Sequence, residues 1–158
     1  MGQVVKDQWG SAFKKNVIAG EAAMYQHKIQ YYETDKMLVT HHSNYIRWME
    51  EARVDFLDRI GWSYIKLEEL GIISPVISVD GKFKKSTTFG DIVNIDVKIQ
   101  EFKGVKLKLV YEMTDQNGTA VFEGHSEHCF LTREGKPMMI RVTYPDFYNA
   151  IMEAYEKQ

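Results

Sequence analysis

Residues 31–57 read YYETDKMLVTHHSNYIRWMEEARVDFL, and this stretch decides the reading of the 158-residue chain. A strand-like run carries Asp35 into a loop, and seven residues later, at His42 and Ser43, a long amphipathic helix begins. Tyr45, Met49, Ala52, Phe56 and Ile60 recur at spacings of four, three, four and four, which is one face of a helix. Arg47, Glu51, Asp55 and Asp58 fall on the opposite side, and Gly61 supplies a stop. A helix start presents unpaired N–H groups and partial positive charge to an oxyanion, while a carboxylate facing it can attack or activate water. On local sequence alone, Asp35 reads equally well as an aspartate that closes the turn.

Working outward, Met24–Tyr32 is expected as a first strand, and a second short helix spans Ser63–Leu70 and ends at Gly71. The period then changes from 3.6 to 2. Ile77, Val79, Gly81 and Phe83 alternate with polar residues, as do Val93, Ile95, Val97 and Ile99, and then Val105, Leu107, Leu109, Tyr111 and Met113. Such runs predict half-buried antiparallel strands with one wet face. Phe102-Lys103-Gly104 and Gln116-Asn117-Gly118 mark hairpin turns, the second with the strong Asn-Gly signal. A further strand is expected over Thr119–Thr132, turned at Glu134-Gly135 into a last one over Met138–Val142. Pro145 then opens a closing helix over Asp146–Tyr155. A single sheet must bury its apolar face, and the long helix is the large element available to cover it. The fold class is therefore α+β, a helix wrapped by a curved antiparallel sheet. Its edge strands lack cover from the same chain, which predicts pairing with a second copy.

A 44 % hydrophobic fraction and the absence of a Pro/Ser-rich linker predict one domain over residues 24–158, preceded by an N-terminal extension over 1–23. The formal charge of −2, from 20 basic and 22 acidic residues, gives no electrostatic case for nucleic acid as the main partner, so no nucleic acid is expected and any basic patch would have to be local. No apolar run approaches the roughly 18 residues of a membrane span, and the first residues lack the pattern of a signal peptide. Cys129 is the single cysteine, read as a small buried strand residue, so the chain suits a reducing cytoplasm.

Tyr31, Thr34, Asp35, Val39, His41, His42, Asn44 and Tyr45, followed by Arg47, Trp48, Glu50, Ala52 and Arg53, stand in the order of a known signature. Thr88-Phe89-Gly90-Asp91 and Gly135-Lys136-Pro137 continue it. On these motifs, which run from about Met24 to Tyr144, the chain resembles the hotdog-fold acyl-CoA thioesterases of the 4-hydroxybenzoyl-CoA thioesterase-like family. The resemblance implies hydrolysis of an acyl-CoA thioester, with Asp35 as nucleophile or general base and the helix start at His42 and Ser43 as the oxyanion site. It implies a homo-oligomer, dimer or tetramer, with the acyl group buried between subunits beside the long helix, and no metal or redox cofactor. Leu38 stands where the family has Gly, and Thr40 where Val is common. Since Gly permits backbone conformations that Leu dislikes, a different loop path is expected there.

His42 is the second catalytic candidate, through its backbone N–H or as an acid toward the departing thiolate. Tyr31, Ser43, Tyr45, Lys85 and Thr88 are the substrate-binding candidates. Three of them also have a plainer account: Tyr31 as a strand aromatic, Ser43 as a helix N-cap, Tyr45 as core. Glu50 is kept as a possible second carboxylate, whereas Glu51 belongs to the solvated face. Lys82, Lys84, Lys85, Lys103, Lys106 and Lys108 could meet a nucleotide diphosphate, but alternating lysines are usually the wet side of a sheet. A metal site is not expected: adjacent His41 and His42 point apart on an extended chain, and His125 and His128 point to opposite faces of a strand. Two other functions fit the residues: hydrolysis of an acyl carrier protein thioester, and non-catalytic binding of an acyl thioester.

Overall fold

The 3.6-residue period becomes α1, Ser43–Arg59, in the computed structural model, which describes residues 24–158. The extension expected over residues 1–23 lies outside the described residues. α1 buries Tyr45, Trp48, Met49, Ala52, Phe56 and Leu57, and the chain leaves it through Gly61 at φ 83°. α2, Tyr64–Glu69, begins at Ser63, whose hydroxyl accepts Lys66 N at 3.2 Å, an N-cap bond.

Five strands follow the period-2 runs: β1 Tyr25–Lys28, β2 Val76–Phe83, β3 Ile92–Phe102, β4 Lys106–Thr114 and β5 Ala120–Cys129. They form one antiparallel sheet in the order β1-β3-β4-β5-β2. The inward residues of β3 and β4, Val93, Ile95, Val97, Ile99, Leu107, Leu109, Tyr111 and Met113, are at most 8 % exposed. Burying each such side chain stabilises the fold by about 1.5–3 kcal/mol. α1 lies against β1, β3 and β5, which is the helix-on-sheet α+β arrangement expected. Its close approach needs glycine: a Cβ on Gly124 would come within 2.7 Å of Phe122 Cε1 and 2.8 Å of Met49 Sδ. β1 pairs with β3 only as far as Ile95, so the backbone of Ile99 faces an edge that β1 does not cover, and the Gln158 amide satisfies both its N–H at 2.8 Å and its carbonyl at 2.6 Å.

Four expectations are corrected. The first strand is shorter than Met24–Tyr32: β1 stops at Lys28, and Tyr31–Glu33 forms a 3-10 turn. The turn is favoured because the Glu33 side chain reaches back to Gln30 N at 2.8 Å. β2 is not half-buried; each of its residues is exposed, because it is an edge strand that α1 meets at Phe83, whose ring lies 5.2 Å from that of Tyr45, rather than covers along its length. Met138–Val142 is not a strand. The hairpin beyond Gly135 pairs only as far as Met138 N to Phe130 O, after which Ile140 N bonds Gly104 O and α3, Ile140–Thr143, begins. Cys129 is half-buried rather than buried, since it sits on the wet side of β5, alternating with His128, which faces the core. α4, Pro145–Glu156, starts at Pro145 as expected and buries Phe147 and Ile151, the former stacked on Trp62 with centroids 4.7 Å apart.

Candidate active site

A small hairpin carries Asp35. Thr34 and Thr40 pair in an antiparallel bridge, Asp35 N bonds Val39 O at 3.0 Å, and Leu38 N bonds Asp35 O at 3.0 Å. Asp35 Oδ1 accepts Met37 N at 2.8 Å, an Asx turn. One carboxylate oxygen therefore closes the turn, as the plainer account of this residue held, while Oδ2 makes no hydrogen bond among the described residues. Leu38 adopts φ 63°. Leu38 thus takes the left-handed conformation that favours glycine.

From Thr40 the chain runs directly into α1. His42 occupies the N-cap position with helical φ −54° and ψ −30°, and no side chain of its own caps the helix. The cap is not Ser43, as expected; Ser43 is the first helical residue, and His41 Nδ1 lies 2.8 Å from its hydroxyl and 3.3 Å from its N–H. An imidazole nitrogen thus takes the place of the usual hydroxyl acceptor. The His41 and His42 rings lie with centroids 4.1 Å apart, so the two do not point apart as an extended chain would require. The backbone N–H of His42 has no acceptor among the described residues, and the positive end of α1 lies there.

The connection from β2 to β3 braces the turn and the returning arm of the hairpin. Thr40 N bonds Thr87 O at 2.8 Å, and Thr87 Oγ1 lies 2.7 Å from Thr40 Oγ1 and 2.9 Å from the Tyr45 hydroxyl. Burial pushes the Tyr45 hydroxyl pKa up, with the Thr87 hydrogen bond opposing, so Tyr45 stays a neutral phenol. Thr88 Oγ1 donates to Leu38 O at 2.7 Å and Thr88 N to Asp91 Oδ2 at 3.0 Å. The exposed Tyr31 ring meets Phe89 edge-on at 5.8 Å.

A cavity of about 250 Å³ opens beside the helix start, lined by Thr40, His42, Tyr45, Phe83, Lys84, Lys85 and Ser86. The fold thus brings His42, Tyr45 and Lys85 together. Asp35, Tyr31, Ser43 and Thr88 surround the same hairpin without lining that cavity. A larger groove, about 520 Å³, follows the outer face of α1 past Tyr25, Arg47, Glu50, Glu51, Val54, Asp55 and Asp58. Four carboxylates against one guanidinium make it a poor host for a polyanionic nucleotide, so the smaller cavity is the better candidate despite its size. Glu50 belongs to that groove and not to the hairpin.

The basic group does not stand free. Lys84 pairs with Glu123 at 3.0 Å, Lys85 with Asp115 at 2.7 Å, Lys106 with Glu127 at 3.6 Å, and Lys108 with Glu101 at 3.0 Å. The Lys85 hydrogen bond, with Thr119 N and Asn117 N, holds the Asp115 carboxyl below its ordinary range. On β5, His125 lies on the wet face, 3.1 Å from Asp80, and His128 lies in the core, as expected of opposite faces. Sequence reasoning passed over Glu33 and Thr87, and noted Thr40 only as standing where Val is common, yet all three hold the hairpin in place. Thr87 directly precedes the Thr88–Asp91 motif, a signal that could have found it; a buried glutamate inside a polar turn leaves none.

Residues 29–153 match the family model of the thioesterase-like superfamily. The Bacillus subtilis (strain 168) protein named "Putative acyl-CoA thioesterase YneP" is 30 % identical over 131 residues, 82 % of this chain and 92 % of that one. A structure of DHNA-CoA thioesterase from Staphylococcus aureus superposes with a TM-score of 0.79 at 30 % identity, covering 83 % of this chain and 89 % of that chain. That of 4-hydroxybenzoyl-CoA thioesterase from Pseudomonas sp. strain CBS-3 gives a TM-score of 0.72 over 81 % of this chain and 97 % of that one. At 17 % identity this last likeness concerns the fold, which is the hotdog fold expected.

Proposed function

Because the chain belongs to the thioesterase-like superfamily, we propose that it hydrolyses acyl-CoA thioesters to a carboxylic acid and free CoA. Asp35 either attacks the thioester carbonyl, giving a mixed anhydride that water then opens, or takes the proton of an attacking water. In both routes the C–S bond breaks and the electron pair leaves on the thiolate, a tolerable leaving group that needs little protonation. The observation that carries the reading is the His42 N–H, without an acceptor among the described residues, at the start of a 17-residue helix, reached by the same hairpin that carries Asp35. An N–H so placed can meet the oxyanion of the tetrahedral intermediate. His42, Tyr45 and Lys85 would line the acyl-thioester end, with Tyr31, Ser43 and Thr88 around the hairpin.

A second reading, an acyl-thioester-binding protein without hydrolysis, draws on the Asx turn that occupies Asp35 Oδ1. The acyl carrier protein alternative is weakened by the pairing of Lys84, Lys85, Lys106 and Lys108 with carboxylates. Release of free thiol from a panel of acyl-CoAs separates the readings. In Asp35→Asn, kcat falls by roughly 10²–10⁴-fold; unchanged hydrolysis sinks the role of Asp35, and binding without thiol release in the wild type favours the second reading.

The working unit on this proposal is a homo-oligomer, joined first through β2, whose Val76, Ile77, Val79 and Phe83 are exposed and whose outer backbone edge has no strand partner among the described residues. Among the described residues no helix is long and apolar enough to cross a membrane, and the cytoplasm is the proposed compartment.

A further inference from the structure

Glu33 stands two residues before Asp35 and is only 5 % exposed, rare for a carboxylate. Its backbone carbonyl accepts His41 N at 2.8 Å and Asn44 Nδ2 at 2.9 Å. Its carboxylate accepts Gln30 N at 2.8 Å, Trp48 Nε1 at 2.9 Å and His27 Nε2 at 2.8 Å. One residue therefore joins β1, the 3-10 turn, the far arm of the hairpin and the first two turns of α1. The hairpin leaves Glu33 at Thr34 and returns to it at His41. How Glu33 is held thus sets where Asp35 lies against the helix start.

His27 completes the arrangement. While Nε2 meets Glu33, Nδ1 lies 3.1 Å from Glu51 Oε2 on α1, and the ring leans on Trp48 with centroids 4.8 Å apart. An ionised carboxylate only accepts hydrogen bonds, so both ring nitrogens must donate, and only the imidazolium carries two N–H groups. A neutral ring would turn a lone pair toward one of the carboxylates. The groups around the ring are Glu33, Glu51 and the Tyr25 hydroxyl, which donates to Glu51 at 2.8 Å; Asp55 and Arg47 lie further along the groove of α1. Burial pushes the Glu33 carboxyl up, but hydrogen bonds from His27, Gln30 and Trp48 and the His27 charge outweigh it and keep it ionised. Without that charge, Glu33 would be a buried carboxylate lacking a counter-ion, which is strongly destabilising.

We propose that Glu33 and His27 form a protonation-dependent clasp that fixes the Asp35 hairpin against α1, so that the hairpin holds its catalytic geometry only while His27 is an imidazolium. Both are positioning residues, and the kinetic part of this inference rests on the thioesterase reading. The test combines NMR of the histidine ring nitrogens with pH–rate profiles of wild type, His27→Gln and Glu33→Gln. In the wild type at neutral pH, His27 shows two protonated nitrogens. As pH rises through its titration, the amides of Lys36 and Leu38 shift with the same midpoint and kcat drops by up to roughly tenfold per pH unit. Both variants lose roughly 10²-fold in kcat with KM changed less than about threefold, and His27→Gln loses that alkaline limb. A singly protonated ring at neutral pH, or hairpin amides indifferent to its titration, overturns the clasp. If the amides follow the ring but no acyl-CoA is cleaved, the thioesterase reading fails and the clasp stands.

Discussion

Leu38 keeps an L side chain at φ 63°, where Cβ crowds the following carbonyl at a cost of about 1–2 kcal/mol. That side chain is 71 % exposed, so burial does little to offset the strain. The turn bond to Asp35 and the Thr88 hydroxyl hold the conformation instead. Leu38→Gly removes the crowding but adds about 0.4–1 kcal/mol of unfolded-chain entropy, and the balance raises Tm by about 1–3 °C. Leu38→Val, branched at Cβ, lowers it by about 2–4 °C. Calorimetry that finds the opposite order would refute the strain argument. At this scale the turn at Asp35, the helix start at His42 and the departure at Leu38 were legible as positions, because each departs from or matches a local pattern. The braces were not: Glu33 and Thr87 act through partners that are remote in sequence, such as Trp48 and Tyr45.

β5 turns a polar row into the core, with the Tyr111 hydroxyl 2.8 Å from Ser126 Oγ, and Ser126 Oγ 2.7 Å from His128 Nε2. Burial, aided by the charge of Arg53 and opposed by the Pro75 carbonyl, pushes His128 from 6.5 down to about 3. The folded pKa lies below the unfolded one, so the unfolded chain binds a proton that the folded chain refuses. Stability from this residue is complete above about pH 6.5 and is lost as pH falls toward 3, by about 1.4 kcal/mol per pH unit. Urea titrations from pH 7 to 5, above the main carboxylate range, read this slope, and His128→Gln flattens it; an equal slope in both proteins contradicts the assignment. The elements themselves were legible where a period repeats long enough, as in α1, β3 and β4. Met138 and Ile140 mimic a strand because two inward residues fit either period. The alternation in β2 marked an apolar face, but no pattern within a strand says whether anything lies over it.

Among the described residues the strand order leaves β1 and β2 as the two edges of the sheet, and the proposed assembly uses β2. Ile77→Lys with Val79→Lys places charges on that strand, so sedimentation should show a dimer or larger species for the wild type and a folded monomer for the variant. A monomeric wild type refutes the proposal. Activity falls with dissociation, since Phe83 at the end of β2 lines the cavity beside His42. The order of elements made the open edges legible from sequence; which edge carries the apolar surface emerged only with the register of β2 on β5. The two edges also differ in length, four residues in β1 against eight in β2. Pairing β1 of one copy with β2 of the next would repeat without end and make a filament, whereas β2 against β2 consumes both long edges in a single two-fold contact. A stub of four residues is too short to template a further strand. With the proposed β2–β2 contact, growth by strand addition is self-terminating, and the asymmetry of its edges protects this sheet from running on into a fibre.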